Sequence, residues 1–516
     1  MMSAKHSSRR MSLQSLLDGL SSIDKDILVG EPSVHAQAIE SEGVFLAVAG
    51  SCSHGLAYAD EAVRREVSAI VYDPANEGEF LAEKVKKQFS VRLIKLPKLS
   101  EHLSEIAARF YQHPSQSMSV IGVTGTNGKT SVSHFLAQAM NVADNTCGLI
   151  GTLGWGQLNE LQHTINTTPD AVAVQNQLAS MSSEGIKNVV MEVSSHGLVQ
   201  GRVQAVEFKG AVFTNLTHDH LDYHQTMAAY GEAKLTLFKC PSLTFVVLNN
   251  DDVFSEKIKS VIAPACRVFT FSRSFSQSDA SHENSAVITN EKLSSSGLSF
   301  ELTLGQQTVS VHSALMGSFT IDNLVATALV LIAQGDSLNQ AVEKIQRVES
   351  VAGRMQVVPS TPEAPTVVID YAHTPDALLL TLKSLRAHCQ GSLRLVFGCG
   401  GDRDITKRPL MGAIAAQWAD KVLISNDNPR TEPADQIAQQ IKAGAPDAAH
   451  LYIELDRQRA IAKAIIEASN EDVVLIAGKG HEDYQQIGDE KAYFSDFKQA
   501  EENLKRRAVL ASGGSQ

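Results

Sequence analysis

Short apolar, β-branched runs alternate along much of the chain with longer segments whose apolar positions recur at helical spacing. That alternation is the pattern of parallel strands covered by helices, so the class is α/β. The spacing predicts strands over 120–124, 188–193, 211–215, 245–249, 367–371, 393–398, 422–425 and 473–477. Helices are expected over 131–140, 230–238 and 322–334. Between Ala286 and Ser313 apolar and polar residues alternate around Ser294-Ser295-Ser296-Gly297, which predicts an antiparallel hairpin appended to the parallel sheet.

Two breaks divide this pattern. The polar stretch Gln112-His113-Pro114-Ser115-Gln116-Ser117 precedes the strand at Val120, and a second break falls within 351–359. Domains are therefore expected at 1–115, 116–350 and 351–516, in keeping with 516 residues at roughly 100 to 200 per domain. A composition of 43% hydrophobic and 20% charged residues can build such cores and excludes a disordered chain. The net charge of −12 disfavours nucleic acid and anionic membranes as partners, which leaves small molecules. Six scattered cysteines (Cys52, Cys147, Cys240, Cys266, Cys389, Cys399) without C-x-x-C spacing read as reduced thiols in a reducing compartment. The start of the chain is basic at Lys5, Arg9 and Arg10, but Ser12, Gln14, Ser15 and Asp18 interrupt any signal-peptide core. No apolar stretch approaches the roughly 20 residues that span a bilayer, so a cytoplasmic location is expected.

The first candidate chemistry lies at Gly125-Thr126-Asn127-Gly128-Lys129-Thr130, between the strand at 120–124 and the helix beginning at Ser131. Backbone N–H groups of such a loop and the helix N-terminus cradle phosphates, Lys129 reaches the outer ones and Thr130 ligates magnesium. An ordinary helix-capping turn is the plainer alternative. The Gly-Lys-Thr run at a strand-to-helix junction outweighs it, although Val123 stands where the commoner form of the motif has glycine.

Downstream, Glu192 ends a strand and is followed by Val193-Ser194-Ser195-His196-Gly197. Ligands of open parallel sheets bind at such strand ends, so Glu192 is a candidate magnesium ligand; a simple ion pair is the alternative. The run Thr214-Asn215-Leu216-Thr217-His218-Asp219-His220-Leu221-Asp222-Tyr223-His224 begins a dinuclear metallohydrolase pattern, but Tyr223 occupies the place of its fourth ligand. With a phosphate loop upstream, magnesium and ATP account for the cluster more simply than zinc. Lys234, on the helix 230–238, reads by itself as a solvated surface lysine.

Taken in order and spacing, the phosphate loop, the Glu192–Gly197 segment and the Thr214–His224 segment resemble the Mur ligase family, and within it the diaminopimelate-adding type, over residues 116–500. The resemblance implies three domains: an N-terminal UDP-substrate domain, a central P-loop-type parallel-sheet ATPase domain and a C-terminal Rossmann-like domain. It implies ATP as co-substrate, held by Gly125, Thr126, Asn127, Gly128, Lys129, Thr130, Ser131, Asn323, Arg354, Asp370 and His373. It implies catalysis by Lys129, Glu192, His220 and a carbamylated Lys234, with Mg2+ ligated by Thr130, Glu192, His220 and Lys234. A UDP-muramoyl dipeptide is then held by Asn166, Thr167, Thr168, Ser194, Gln200 and Arg202, and diaminopimelate by Arg403, Asp427, Asn428, Pro429, Arg430, Gly478 and Glu482. A monomer is expected.

Free of the family, Asn426-Asp427-Asn428-Pro429-Arg430 reads equally well as a turn. Diaminopimelate differs from lysine by a second carboxylate, for which Arg430 supplies a paired donor. A lysine-adding ligase or a folate polyglutamate ligase would need another pocket. A catalytically dead nucleotide-binding scaffold is the reading from another class, suggested by the first domain. There the chain has His35-Ala36-Gln37 where the family has Asp-Ser-Arg, and His54-Gly55 for a usual Asp-Gly. Thr320 also replaces an adenine-side asparagine.

Overall fold

In the computed structural model, which describes residues 9–50, 53–141, 146–274, 283–361 and 363–513, the run at 120–123 becomes the strand Ser119–Thr124. Val120, Ile121 and Val123 are fully buried, each worth about 1.5–3 kcal/mol for an aliphatic side chain removed from water. This strand lies inside a sheet ordered Phe245–Asn249, Phe208–Phe213, Ser119–Thr124, Asn188–Glu192, Cys147–Gly151, Gly154–Gln157. All these neighbours run parallel except the last pair, a hairpin. The pair at 147–157 escapes the sequence pattern because its glycines hide the β signature. A Cβ on Gly148 would lie 2.4 Å from Met181 Sδ, so the packing demands its absence.

By compactness the chain divides into two units, Met1–Phe269 and Thr270–Gln516. The first also holds a four-stranded parallel sheet of Pro32–Ser33, Val44–Ala47, Ala69–Tyr72 and Arg92–Lys95. In the second, the expected hairpin is instead a three-stranded antiparallel meander, Ser285–Ser294, Gly297–Leu304 and Gln307–Ser313. The predicted turn is present at Ser294–Gly297. A second turn falls at Gly305, whose φ of 59° marks a left-handed bend inside what reads as one continuous polar–apolar run.

A six-stranded sheet follows, ordered Gln356–Val357, Thr366–Asp370, Val473–Ala477, Leu393–Phe397, Lys421–Ile424, Leu451–Ile453, antiparallel only at its first pair. Leu395, Phe397, Val422 and Leu475 enter one core cluster, while Val396, Leu423, Val474 and Ile476 enter another. Both faces are therefore covered, which is why these strands read as unbroken apolar runs. Among the described residues no helix is long and apolar enough to cross a membrane.

The second unit also buries an ion pair completely. Arg457 and Asp496 are both 0% exposed, joined by two hydrogen bonds of 2.7 Å. The guanidinium also donates to the carbonyls of Asn426 and Ala477, so it ties two strand ends to the helix that begins at Asp496. Removing one partner strands the other charge in the core. Asp496→Asn is expected to lower the unfolding free energy of this unit by about 3–5 kcal/mol. Urea titration followed by Trp418 fluorescence in a Trp155→Phe background checks this, and an unchanged midpoint would contradict it.

Candidate active site

The strand Ser119–Thr124 runs into Gly125-Thr126-Asn127-Gly128, and the helix Lys129–Met140 starts at once. Gly125 has φ 150°, and a Cβ there would stand 1.9 Å from Thr214 Oγ1, so no other residue lets the loop close on the neighbouring strand end. The loop is held from that side: the Asn127 N–H donates to Asn215 Oδ1 at 2.9 Å, and the Thr214 hydroxyl donates to the Asn127 carbonyl at 2.6 Å. Lys129 folds back across it, donating from Nζ to the carbonyls of Gly125 (3.0 Å) and Thr126 (2.9 Å).

Beside the loop, Glu192 is 0% exposed at the end of its strand. Its carboxylate accepts from the Thr130 hydroxyl at 2.9 Å, from the Thr152 N–H at 2.8 Å and from the Thr152 hydroxyl at 3.2 Å. These donors are what make a buried carboxylate tolerable. A Cβ on Gly151 would lie 2.3 Å from Glu192 Oε1, so that glycine leaves the room the carboxylate occupies. Thr168 extends the network, donating to the Glu192 carbonyl and accepting from the Ser194 N–H, each at 2.9 Å.

Lys234 differs most from its expectation from the residues alone. It is 1% exposed, on the helix Met227–Phe238, with Nζ 2.8 Å from the Gly125 carbonyl and 4.4 Å from the centroid of the Tyr230 ring. Burial, followed by the nearby Lys129 charge, pushes its ammonium well below the usual lysine range. Tyr230 in turn meets Thr126 Oγ1 at 3.2 Å, so the helix and the phosphate loop share a buried contact.

His220 begins the short helix Leu221–His224 in a left-handed conformation (φ 53°) and is 45% exposed. Its ring lies 4.9 Å from that of His196, which also meets Tyr223 at 4.2 Å and His224 at 5.5 Å. Burial, with neighbouring positive groups, keeps His196, His220 and His224 below the ordinary histidine range. Among the described residues no three His, Cys, Asp or Glu side chains converge as a metal-binding group. His224 Nε2 meets the Ser195 hydroxyl at 2.9 Å.

Of the remaining candidates of this unit, Thr167, Gln200 and Arg202 join the network of Thr152 and Thr168. Arg202 donates to the Thr168 carbonyl at 2.6 Å and, through Nε and Nη2, to Gln200 Oε1 at 2.9 and 2.6 Å. Thr167 meets Thr152 Oγ1 at 3.0 Å, and Asn166 is exposed one residue before it. His35 approaches Asp170 at 3.6 Å. His54 is buried and fully engaged, accepting from the Leu56 N–H and donating to the Asp73 carbonyl, so it acts as a helix cap. Ser51 and Cys52, beside it, lie outside the described residues.

In the second unit, Asp370 accepts from the N–H groups of Met355 (2.8 Å) and Ala372 (2.9 Å). Burial nevertheless raises its carboxyl above the usual range. The Arg354 guanidinium lies 4.4 Å from the centre of the Tyr371 ring, and His373 Nδ1 meets the Tyr371 carbonyl at 2.9 Å. Asn323 is buried on the helix Ser318–Ala333, where Thr320 turns its hydroxyl to the Met316 carbonyl at 2.6 Å.

Beyond the strand Lys421–Ile424 the expected pocket residues do come together. Asn428 Nδ2 donates to Glu482 at 2.8 Å, and Gly478, with φ 110°, sits where a Cβ would be 2.7 Å from Asp427 Oδ2. Arg430, itself at φ 51°, donates to the Gly401 carbonyl at 2.6 Å, with Gly400 between it and Arg403. An ion pair pins this loop: the buried Arg408 donates to both oxygens of the partly exposed Glu432 at 2.8 and 2.9 Å, which holds that carboxyl down at about 2.

Four participants were not read from the sequence: Thr152, Asn215, Tyr230 and Lys479. Thr152 follows the glycine-masked strand at 147–151 directly, and the rule that ligands gather at strand ends would have found it had that strand been recognised.

Comparison with known proteins places these features in a lineage. Profiles of the Mur ligase middle domain and of the Mur ligase glutamate ligase domain match residues 123–331 and 353–480. The UDP-N-acetylmuramoyl-L-alanyl-D-glutamate–2,6-diaminopimelate ligase of Alkalilimnicola ehrlichii is 43% identical over 490 residues, 94% of this chain and 96% of the relative. That of Pseudomonas aeruginosa is 40% identical over 483 residues, 93% of this chain and 96% of its own. A solved structure of a ligase with the same name superposes with TM-score 0.69 at 31% identity, covering 97% of this chain and 99% of the other. With relatives this similar along almost its whole length, the chain belongs to the Mur ligase family.

Proposed function

We propose that this chain is an ATP-dependent ligase that joins meso-2,6-diaminopimelate to the D-glutamate γ-carboxylate of UDP-N-acetylmuramoyl-L-alanyl-D-glutamate, a step in building peptidoglycan precursors. The observation that carries the reading is the group of side chains beyond the strand Lys421–Ile424, where the carboxylates Asp427 and Glu482 lie about Lys479 and Asn428 and the arginines Arg430 and Arg403 approach the neighbouring Gly400. An amino acid whose far end bears both an ammonium and a carboxylate needs acceptors and a forked donor together. Lysine offers only the ammonium, and glutamate only the carboxylate. Relatives bearing this activity's name, at 40% identity and above, support the same choice.

In this reading the protein works as three domains, 1–115 for the UDP end of the substrate, 116–350 for ATP and 351–516 for the incoming amino acid, as a cytoplasmic monomer. Gly125–Ser131 cradle the phosphates, while Asn323, Arg354, Asp370 and His373 serve the nucleotide. Asn166, Thr167, Thr168, Ser194, Gln200 and Arg202 hold the muramoyl dipeptide.

The γ-phosphoryl group of ATP passes to the D-glutamate γ-carboxylate, which gives an acyl phosphate and ADP. Lys129 neutralises charge on the group as it moves. The diaminopimelate amine then attacks the acyl carbon and loses a proton, and the tetrahedral intermediate expels phosphate to leave the amide. Much of the catalysis is the orientation of three bound reactants. The hydroxyl of Thr130 and the carboxylate of Glu192, 2.9 Å apart, are hard oxygen donors of the kind Mg2+ takes. Bound there, and at His220 with a carbamate on Lys234, the metal supplies further neutralisation of phosphate charge. The Lys234 amine, dry and beside the phosphate loop, is placed to take up CO2 as an N-carboxylate with release of a proton.

Purified protein supplied with ATP and the muramoyl dipeptide is expected to form ADP when diaminopimelate is added; stimulation by lysine or glutamate alone would end the assignment. Lys234→Ala is expected to cut kcat by about a hundredfold or more, in line with the loss of a group that stabilises transferring charge. Full turnover in that variant would refute the carbamate. Loss of the charge-assisted bonds of Arg430, about 1.5–3 kcal/mol, is expected to raise KM for diaminopimelate about 10- to 100-fold in Arg430→Ala with KM for ATP unchanged. An unaltered KM for the amino acid would show that Arg430 does not pair with its carboxylate.

A further inference from the structure

The amino-acid pocket contains a charge that no substrate can touch. Lys479 is 0% exposed, between two glycines with positive φ, Gly478 at 110° and Gly480 at 55°. Its Nζ lies 3.2 Å from Asn428 Oδ1, 3.4 Å from Glu482 Oε2 and 3.8 Å from Asp427 Oδ1, with the Tyr484 ring centroid 5.4 Å away. Every one of those partners sits in or beside the pocket.

Two consequences follow from the donor and acceptor count. Asn428 Oδ1 receives both the Lys479 ammonium and the Gln486 N–H at 2.9 Å, while Nδ2 donates to Glu482 at 2.8 Å. A flipped amide would set its NH2 against two donors, so Lys479 fixes which end of Asn428 faces Glu482. The second concerns charge. Glu482 and Asp427 are like charges in a largely desolvated cluster, and burial raises the Glu482 carboxyl while Lys479 draws it back down. Tyr371, Tyr484 and the buried Arg457 also act on both members of this pair, and His373 and Cys399 act on Asp427.

We propose that Lys479 is a positioning residue of the amino-acid site: its buried ammonium holds the Glu482 carboxylate and the Asn428 amide as the receptor for the ammonium group at the far end of the incoming amino acid. The inference rests on the ligase reading above. It adds a residue that selects the zwitterionic end without meeting it. Without Lys479, Glu482 and Asp427 lose the ammonium that lies within 4 Å of both, and Arg457 remains as a buried cation acting on the pair. Glu482 then gains a proton more readily, stops accepting from the substrate ammonium, and recovers only as pH rises.

The test is the pH dependence of KM for diaminopimelate in the full-length protein, from about pH 6.5 to about pH 8.5, with KM for ATP alongside. A shift of about one unit in the carboxyl changes its protonation ratio about tenfold. Lys479→Met is therefore expected to raise KM for the amino acid about tenfold or more at the acid end and to regain much of it at the alkaline end, while KM for ATP stays level. Glu482→Gln should show a raised KM without the pH slope, and the Lys479→Met/Glu482→Gln pair should lose less than the two single losses combined. A folded Lys479→Met with native KM at both ends, or additive losses in the pair, overturns the proposal. Lys479→Gln carries the same expectation as Lys479→Met, and failure of both to fold would assign Lys479 to stability and overturn it as well. If the native protein itself makes no amide from diaminopimelate, the ligase reading fails first, an outcome distinct from these.

Discussion

A single buried carboxylate organises the first half of this molecule. Glu192 has no access to water, so its charge is sustained only by the donors around it: the Thr130 hydroxyl at the start of the phosphate-loop helix, and the N–H and hydroxyl of Thr152 at the end of the neighbouring strand. That requirement joins three adjacent strand ends. It also explains glycines that would otherwise be free to vary, because Gly151 leaves space for the carboxylate and Gly125 lets the loop close over Thr214. The loop beside it carries the Lys129 ammonium across its carbonyls, while the buried Lys234 amine meets the Gly125 carbonyl from the neighbouring helix. An anionic nucleotide in that cradle would meet positive charge and N–H dipoles held in place before it arrives, where such groups are worth far more than in water.

The second half solves a different electrostatic problem by similar means. Its pocket residues are mutually opposed in charge and mostly buried, so each is held by another: Asn428 by Lys479 and Gln486, Arg430 by the Gly401 carbonyl, and the loop beneath them by Arg408 and Glu432. A zwitterionic ligand suits such a site, since it can replace interactions in both directions. The buried Arg457–Asp496 pair ties the strand ends that carry this pocket to the last helix, which links its geometry to the stability of the unit.

Much of this was legible because buried parallel strands write themselves as continuous apolar runs, and the strands at 119–124, 188–192, 245–249 and 473–477 are of that kind. The phosphate loop was legible because its function demands glycines at fixed places. The strand at 147–151 was not, since Cys-Gly-Leu-Ile-Gly trades β-branched residues for the clearance that Met181 and Glu192 need. Lys234 was misjudged from the residues alone because burial of a lysine depends on what surrounds its helix, and only the fold shows that Tyr230 and the Gly125 carbonyl are there. His54, which reads as a departure from the family's Asp-Gly, caps the turn that follows it. The meander at 285–313 shows the limit of period counting, for one glycine turn can divide an alternating run without breaking its pattern.

The central claim is that the phosphate loop and its carboxylate serve to activate a substrate carboxyl group by phosphoryl transfer. The most direct measurement labels the D-glutamate γ-carboxylate of the muramoyl dipeptide with heavy oxygen and analyses the inorganic phosphate released during amide formation. An acyl phosphate requires one labelled oxygen to leave with the phosphate. Amide formation that releases only unlabelled phosphate would contradict the account.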